Sequence, residues 1–209
     1  MRAKYNTDFS TPENAKRARF FMRWLDHEIL RHWWTNFEEF APGAFRSNHP
    51  TEARFRAYQA RGIKAVLNLR GTPKTPYYLQ EVALCKELGL ELISIQLAAA
   101  IAPTRERVQE LIAILRAIPH PFVMHCKSGA DRTGLASAIY LLVIKNAPIA
   151  EAQKMLSLRY IHLNNKKTGI LDHILVMYAA DQAATGIGFE AWIDTIYDHE
   201  VVTQSFKSR

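Results

Sequence analysis

Ten consecutive residues, His125-Cys126-Lys127-Ser128-Gly129-Ala130-Asp131-Arg132-Thr133-Gly134, gather a thiol, a guanidinium, a carboxyl and a hydroxyl within one short stretch. The apolar run Pro121-Phe122-Val123-Met124 leads into them and Leu135 to Ile144 follows, so the pattern predicts strand, short loop and helix N-terminus. A loop of this kind turns the backbone N–H groups of Lys127, Ser128, Gly129 and Ala130 inward as a nest, and the positive end of the following helix adds to it. The nest suits a tetrahedral oxyanion. It would also stabilise the Cys126 thiolate, lowering the thiol pKa and making the sulfur a nucleophile at neutral pH. Arg132, six residues on, offers a planar fork of donors matched to two phosphoryl oxygens.

These residues need a scaffold, and the pattern after Pro42-Gly43 supplies one. Ala44–Ser47 reads as a short edge strand, Thr51 to Ala60 as a helix capped by Thr51, and Lys64–Leu69 as a buried strand. Pro76–Leu88 reads as a helix ended by Gly89, Glu91–Leu97 as a strand, Thr104–Ala117 as a helix capped by Thr104, and Pro121–His125 as the last strand. From Asp131 onward only helices are expected, at 132–145, 149–157, 168–184 and 188–197. Strands alternating with helices imply an α/β fold with a largely parallel central sheet flanked by helices, followed by an all-helical C-terminal half. Upstream, residues 16–36 read as one amphipathic helix with Phe20, Phe21, Trp24, Leu25 and Ile29 on its apolar side. Such a helix packs on the domain or lies on an acidic membrane surface. The expected division is an N-terminal helical extension, 1–40, and one catalytic domain, 41–209.

Composition bounds the remaining possibilities. The chain has 209 residues, 48% hydrophobic and 22% charged, which argues against disorder and low-complexity repeats. Its formal net charge of +7 favours an anionic partner. The surplus is local: residues 46–74 carry seven basic residues against one acidic, and 120–173 seven against three. Two cysteines are too few for a disulfide framework, and the 8 histidines show no metal-ligand spacing, so neither a metal nor another cofactor is expected. No nucleic-acid-binding motif is present. The N-terminus lacks the apolar core of a secretory signal and no window suits a membrane span, so a cytoplasmic protein with possible peripheral membrane contact through 16–36 is expected.

The segment His125 to Gly134 resembles the signature of the cysteine-dependent protein-tyrosine and dual-specificity phosphatases, in which His-Cys, five residues, then Arg and Ser or Thr form a phosphate cradle. The resemblance implies that Cys126 attacks phosphorus to give a cysteinyl-phosphate, and that Arg132 binds the equatorial oxygens. It implies that Thr133 hydrogen-bonds the departing thiolate and that His125 orients the loop, although His125 also reads as a satisfied core histidine. The family's general acid is normally an Asp on a separate loop. Here 98–103 holds no acid, and no Asp occurs between Asp26 and Asp131. Asp131 therefore becomes the candidate, as in the myotubularin lipid phosphatases and a group of secreted bacterial phosphatases that it resembles there; its alternative is a helix cap. Glu106 is the substitute.

Further likenesses concern the rim. Asn68-Leu69-Arg70 resembles a turn lining the pocket of related bacterial and tensin-like phosphatases, so Arg70 either touches substrate or pairs with an acid. Lys166 and Lys167 are placed like a loop closing one wall of the tensin-like pocket, or form a solvated pair. Lys127 resembles a cradle lysine of the tensin-like lipid phosphatase, whose second lysine is missing here because Ala130 and Asp131 take the neighbouring places. An N-terminal segment, Asp26-His27 through Arg31, also matches a family of bacterial dual-specificity-type phosphatases. Cys85 reads as core, or by resemblance as a redox partner of Cys126. The expected substrate is a phosphorylated protein, first a phosphotyrosine peptide, with a phosphoinositide or inositol phosphate as runner-up and an inactive phosphate-binding module as the competing class. Oligomeric state stays open.

Overall fold

The computed structural model describes residues 8–26, 28–31 and 33–209. His27 of the Asp26-to-Arg31 segment and residues 1–7 of the extension lie outside the described residues. The chain divides into two compact units, one formed by residues up to Gln96 with Pro119–Ser128, the other by Leu97–Ile118 with Gly129–Arg209.

The first unit holds a five-stranded sheet in the order β1-β2-β5-β3-β4, with β1 Glu38–Ala41, β2 Ala44–Ser47, β3 Ala65–Asn68, β4 Glu91–Ser94 and β5 Phe122–His125. All pairings are parallel except β1 with β2. The register places Ser47 and Asn68 on either side of His125, so three strands end level with it. Helix α3, Glu52–Ala60, and helix α4, Pro76–Leu88, bury Phe55, Tyr58, Leu84 and Cys85 in one cluster with Val66 and Val123. Each such side chain contributes roughly 1.5–3 kcal/mol by leaving water.

Two expectations are corrected in this unit. Ala44–Ser47 is an interior strand, because Glu38–Ala41 pairs beyond it as the true edge. The charges of Glu38 and Glu39 mask the apolar alternation, and charged side chains are what protect an exposed edge. The proposed 40/41 boundary consequently falls inside β1. Residues 16–36 are not one helix either. α1 starts earlier, Pro12–Phe20, with Thr11 Oγ1 accepting from the Asn14 N–H, passes into a π-helical turn over Phe21–Leu25, and stops. After Asp26 the described residues form the short α2, Glu28–Arg31. The helix stops where the Asp26 carboxylate is taken by Arg31 and Arg70. Phe21 and Met22 are buried while Phe20 and Trp24 are exposed.

The second unit is helical: α5 Arg105–Ala117, α6 Asp131–Val143, α7 Ile149–Gln153, α8 Ile170–Thr185, α9 Phe189–Thr195 and α10 His199–Lys207. Thr104 Oγ1 accepts from the Arg107 N–H, as its cap position requires. Thr51 takes the corresponding position before α3 without a side-chain cap bond. α10 was not expected from the apolar pattern; its start is marked by Asp198, which accepts from the Glu200 and Val201 N–H groups. Tyr178, Phe189, Trp192 and Tyr197 form an aromatic cluster, with Trp192 Nε1 donating to Asp181 at 2.6 Å. Among the described residues no helix is long and apolar enough to cross a membrane.

Gly134 ends the ten-residue segment inside α6, and a Cβ there would lie 2.6 Å from Leu156 Cδ2 and 2.7 Å from the Met155 carbonyl oxygen. Backbone cannot yield as a side-chain tip can. Gly134→Ala should therefore lower stability by about 1–3 kcal/mol in urea unfolding, the range for overpacking. An unchanged midpoint would show that α6 shifts without cost.

Candidate active site

β5 ends at His125, and the loop begins with Cys126, both buried. The loop's carbonyls are held from outside: the His49 N–H donates to the Lys127 oxygen at 3.3 Å, and Asn36 Nδ2 donates to the Ser128 oxygen at 3.0 Å. In a trans peptide the N–H points opposite its C=O, so these bonds turn the next two N–H groups, of Ser128 and Gly129, the other way. Gly129 takes φ +73°, a left-handed conformation that glycine adopts without strain. The two carbonyl bonds and the left-handed Gly129 are the backbone features the structure gives this loop.

His125 is fixed by a residue the sequence does not flag. Its Nε2 lies 2.5 Å from Glu81 Oε1, with both side chains fully buried. Glu81 comes from α4, in a run where apolar neighbours disguise it as an ordinary surface position. His49 packs edge-on against His125 at 4.9 Å between ring centroids. Burial, reinforced by the positive charge of Arg70, pulls the His49 pKa well down and keeps that ring neutral. His125 is therefore both a core histidine and the anchor of the loop's first residue.

Asp26 is a second anchor. Its carboxylate binds Arg31 at 2.7 Å and Arg70 at 2.9 Å, and the Lys127 ammonium lies 3.5 Å away. Asn68 positions Arg70: its Oδ1 accepts the Arg70 N–H at 2.8 Å and its Nδ2 donates to the Gly71 oxygen at 2.8 Å, closing the turn after β3. The guanidinium then stacks on Tyr77, 3.5 Å from the ring centroid. Burial by itself would raise the Asp26 pKa, but Arg70 and Arg31 override it and hold the carboxyl below its usual range. Burial lowers the Lys127 pKa, which Asp26 partly offsets. The structure thus brings Arg70 and Lys127 together on one acid supplied by the N-terminal segment.

In the second unit α6 opens with Asp131. The cap position is Ala130, without a side-chain bond, so Asp131 is not the cap. Its Oδ1 instead lies 2.7 Å from His162 Nδ1, and His162 Nε2 lies 2.7 Å from Asp172 Oδ2. Neither His162 nor Asp172 is singled out by the sequence, because the spacing to Asp131 is long and no motif joins them. Thr133 is buried, and its Oγ1, like Arg132 Nε, has no hydrogen-bond partner among the described residues. Both groups are donors suited to phosphoryl oxygen or sulfur.

The remaining candidates are placed elsewhere. Lys166 and Lys167 are exposed on a turn where Asn165 Oδ1 accepts from the Lys167 and Thr168 N–H groups, and they line a cleft of about 580 Å³ together with Lys207 and Arg209. Glu106 is exposed in the first turn of α5, where its own backbone N–H and Thr104 hold its carboxyl below the usual range, which makes it a poor proton donor. Cys85 and Cys126 are both thiols. Burial, with the Glu81 charge behind it, pushes the Cys85 thiol up to about 12, so it is a poor nucleophile and a core residue.

Comparison with known proteins gives the family and the fold. The family model described as a DSP-PTPase phosphatase fused to NAD+ kinase matches residues 37–171. No curated protein matches the chain. Among solved structures, a DUF442 protein of Shewanella putrefaciens is 17% identical, with a TM-score of 0.58, covering 73% of this chain and 95% of its own. TpbA of P. aeruginosa in complex with phosphotyrosine is 16% identical, with a TM-score of 0.51 and coverage of 84% and 97%. The core catalytic domain of the S. cerevisiae PP-IP phosphatase Siw14, in complex with citrate, is 19% identical, with a TM-score of 0.52 and coverage of 83% and 91%. These likenesses show the shared fold.

The Asp26 hub has a measurable consequence. Its folded-state pKa is depressed, so its contribution to stability is complete above the unfolded value near 4 and is lost as pH falls through the folded value. Asp26→Asn leaves buried guanidinium groups short of a counter-charge and should cost about 3 kcal/mol at pH 6. The gap from the parent protein in urea unfolding should narrow below about pH 4; a gap that stays constant to pH 3 would contradict the ionised pairing.

Proposed function

Because the chain belongs to the DSP-PTPase phosphatase family, and is a cysteine-dependent phosphatase, we propose that it acts on phosphorylated proteins, phosphotyrosine first, through a Cys126 phosphoenzyme. The observation that carries this reading is the complete signature from His125 to Gly134 at the junction of a strand end and a helix start. In this proposal the Cys126 thiolate attacks phosphorus, the N–H groups of Lys127 to Ala130 and the Arg132 fork hold the phosphoryl oxygens, and Asp131 protonates the leaving oxygen. Thr133 then supports the departing thiolate when water cleaves the intermediate. His125 is a positioning residue, held by Glu81 at the head of the loop. Phosphotyrosine as substrate draws support from TpbA, a fold neighbour crystallised with that ligand.

A second reading has its own observation. Arg31, Arg70 and Lys127 converge on a single carboxylate beside the nucleophile, leaving a positive excess there. That favours a substrate with more than one phosphate, an inositol phosphate or phosphoinositide. The neighbouring Siw14 is itself a PP-IP phosphatase. Turnover of a panel of phosphotyrosine peptides, phosphoserine peptides and phosphoinositides separates the readings: the phosphotyrosine peptide should have the highest kcat/KM, and a phosphoinositide in first place would reverse the assignment. A cytoplasmic location, with membrane contact through 16–36, belongs to the same proposal. Flotation with acidic liposomes of the full chain and of Phe20→Ser/Trp24→Ser checks it; equal flotation rules that contact out.

Two variants test the chemistry. Cys126→Ser should lose at least ~10³-fold in turnover of an aryl phosphate yet still bind inorganic phosphate; retained turnover would remove Cys126 from its role. Asp131→Asn should lose ~10²-fold or more on an alkyl phosphate but under ~10-fold on an aryl phosphate with an acidic leaving group, since only a poor leaving group needs the proton. Equal losses would mean that Asp131 is structural.

A further inference from the structure

A general acid inside the phosphate cradle needs a source for the proton it gives. Asp131 stands in the first turn of α6 and Asp172 in the first turn of α8. Between them lies His162, an imidazole whose protonated form both carboxylates favour.

The geometry is that of a shared proton. His162 presents Nδ1 to Asp131 and Nε2 to Asp172, each at 2.7 Å, so both ring nitrogens face a carboxylate oxygen. The imidazole is buried while the two carboxylates are about one-fifth exposed. The backbone is bent to deliver it. Ile161, a β-branched residue, takes φ +58° after the 3₁₀ turn Leu158–Tyr160, and the His162 N–H folds back to the Ser157 oxygen at 3.1 Å. A left-handed isoleucine costs roughly 1–3 kcal/mol, and such strain is characteristically kept where a side chain must be aimed.

We propose that Asp131, His162 and Asp172 form one proton-holding unit, in which His162 stores the proton that Asp131 delivers to the leaving group and recovers from water. The proposal rests on the reading of Asp131 as the general acid. In the donating form the proton sits on the Asp131 carboxyl, and His162 is neutral with its remaining N–H toward Asp172. The sulfur–phosphorus bond forms as the phosphorus–oxygen bond breaks; the bonding pair stays on the leaving oxygen, which takes the proton from Asp131. In the second half water oxygen bonds to phosphorus, the sulfur–phosphorus pair returns to sulfur, and the water proton passes to Asp131 and back to Nδ1. No proton is gained or lost over the cycle.

Charge supports the storage role. Burial alone lowers the His162 pKa, but hydrogen bonds and charges from Asp131, on α6, and Asp172, on α8, overcome that and raise it to about 9. These two acids are the charged groups that act on the ring from the elements packed against it. The stored proton therefore remains available through neutral pH, where an isolated aspartate would have lost it.

Two experiments decide the matter. The first reads the ring directly: ¹⁵N-histidine NMR of the Cys126→Ser chain should show His162 as imidazolium past pH 8, and Asp172→Asn should bring its midpoint down by about one unit or more. A ring already neutral at pH 7 overturns the proposal. The second compares the parent chain with His162→Asn, whose amide can still donate to Asp131 but cannot titrate. At pH 8, kcat/KM for an alkyl phosphate should fall ~10-fold or more and its alkaline limb should move to lower pH, while an aryl phosphate with an acidic leaving group stays within ~3-fold. Equal losses on both substrates, with an unmoved pH profile, would reduce His162 to a structural support. Failure of the phosphatase reading looks different: the parent chain would turn over neither ester, and the NMR midpoint would still report whether the proton is stored.

Discussion

A thiolate and a phosphate dianion repel one another, and a cysteine-dependent phosphatase must hold both within bonding distance. That repulsion sets the terms for the rest of the structure. Opposing charge has to be fixed rather than mobile, because a flexible lysine or a water shell would spend its attraction on reorganising. Backbone N–H groups at a helix start are fixed by construction, and a guanidinium is fixed once its stem is buried. The strand-to-helix junction after β5 supplies the first. Tying the Lys127 and Ser128 carbonyls back to His49 and Asn36 keeps those N–H groups from turning away.

Buried carboxylates then do the positioning. Glu81 holds His125 and Asp26 holds Arg31 and Arg70 in one unit; in the other, Asp172 holds His162. Each acid restrains a cationic or ionisable partner. A partner held in this way stays partly neutralised, so the gain is in geometry more than in net charge. Asp26 shows the balance: it satisfies two guanidinium groups, yet the cluster with Lys127 retains a positive excess. An acid upstream of the sheet thereby reaches Arg70, after β3, and Lys127, after β5, and the first helix stops where that acid is held.

The sequence made the candidate reacting groups legible because they share one loop, and consecutive residues carry their own spacing. The parallel strands β3, β4 and β5 and the helices between them were legible for a related reason: buried strands read as apolar runs bounded by turn residues. What escaped was whatever depended on distant partners. Glu81, Asp172 and His162 are single polar residues within helices or turns, and only folding brings each to its partner. β1 escaped because an edge strand protects itself with the charges that hide it. The long N-terminal helix was overread, since apolar periodicity continued past Asp26 while a buried ion pair overruled it.

An acid placed inside the cradle, as proposed for Asp131, changes what the rest of the fold has to do. When the acid stands on a separate loop, that loop must close over the substrate before the proton can move, and closure excludes water. Here 98–103 carries no acid, and the candidate donor is bound to the start of α6. An acid on a rigid helix start needs no closing motion. Under the proposal made for His162, the source of the proton is as fixed as the donor, because the buried ring holds Nδ1 2.7 Å from Asp131 Oδ1 and Nε2 against Asp172. The left-handed backbone at Ile161 sets that ring in place.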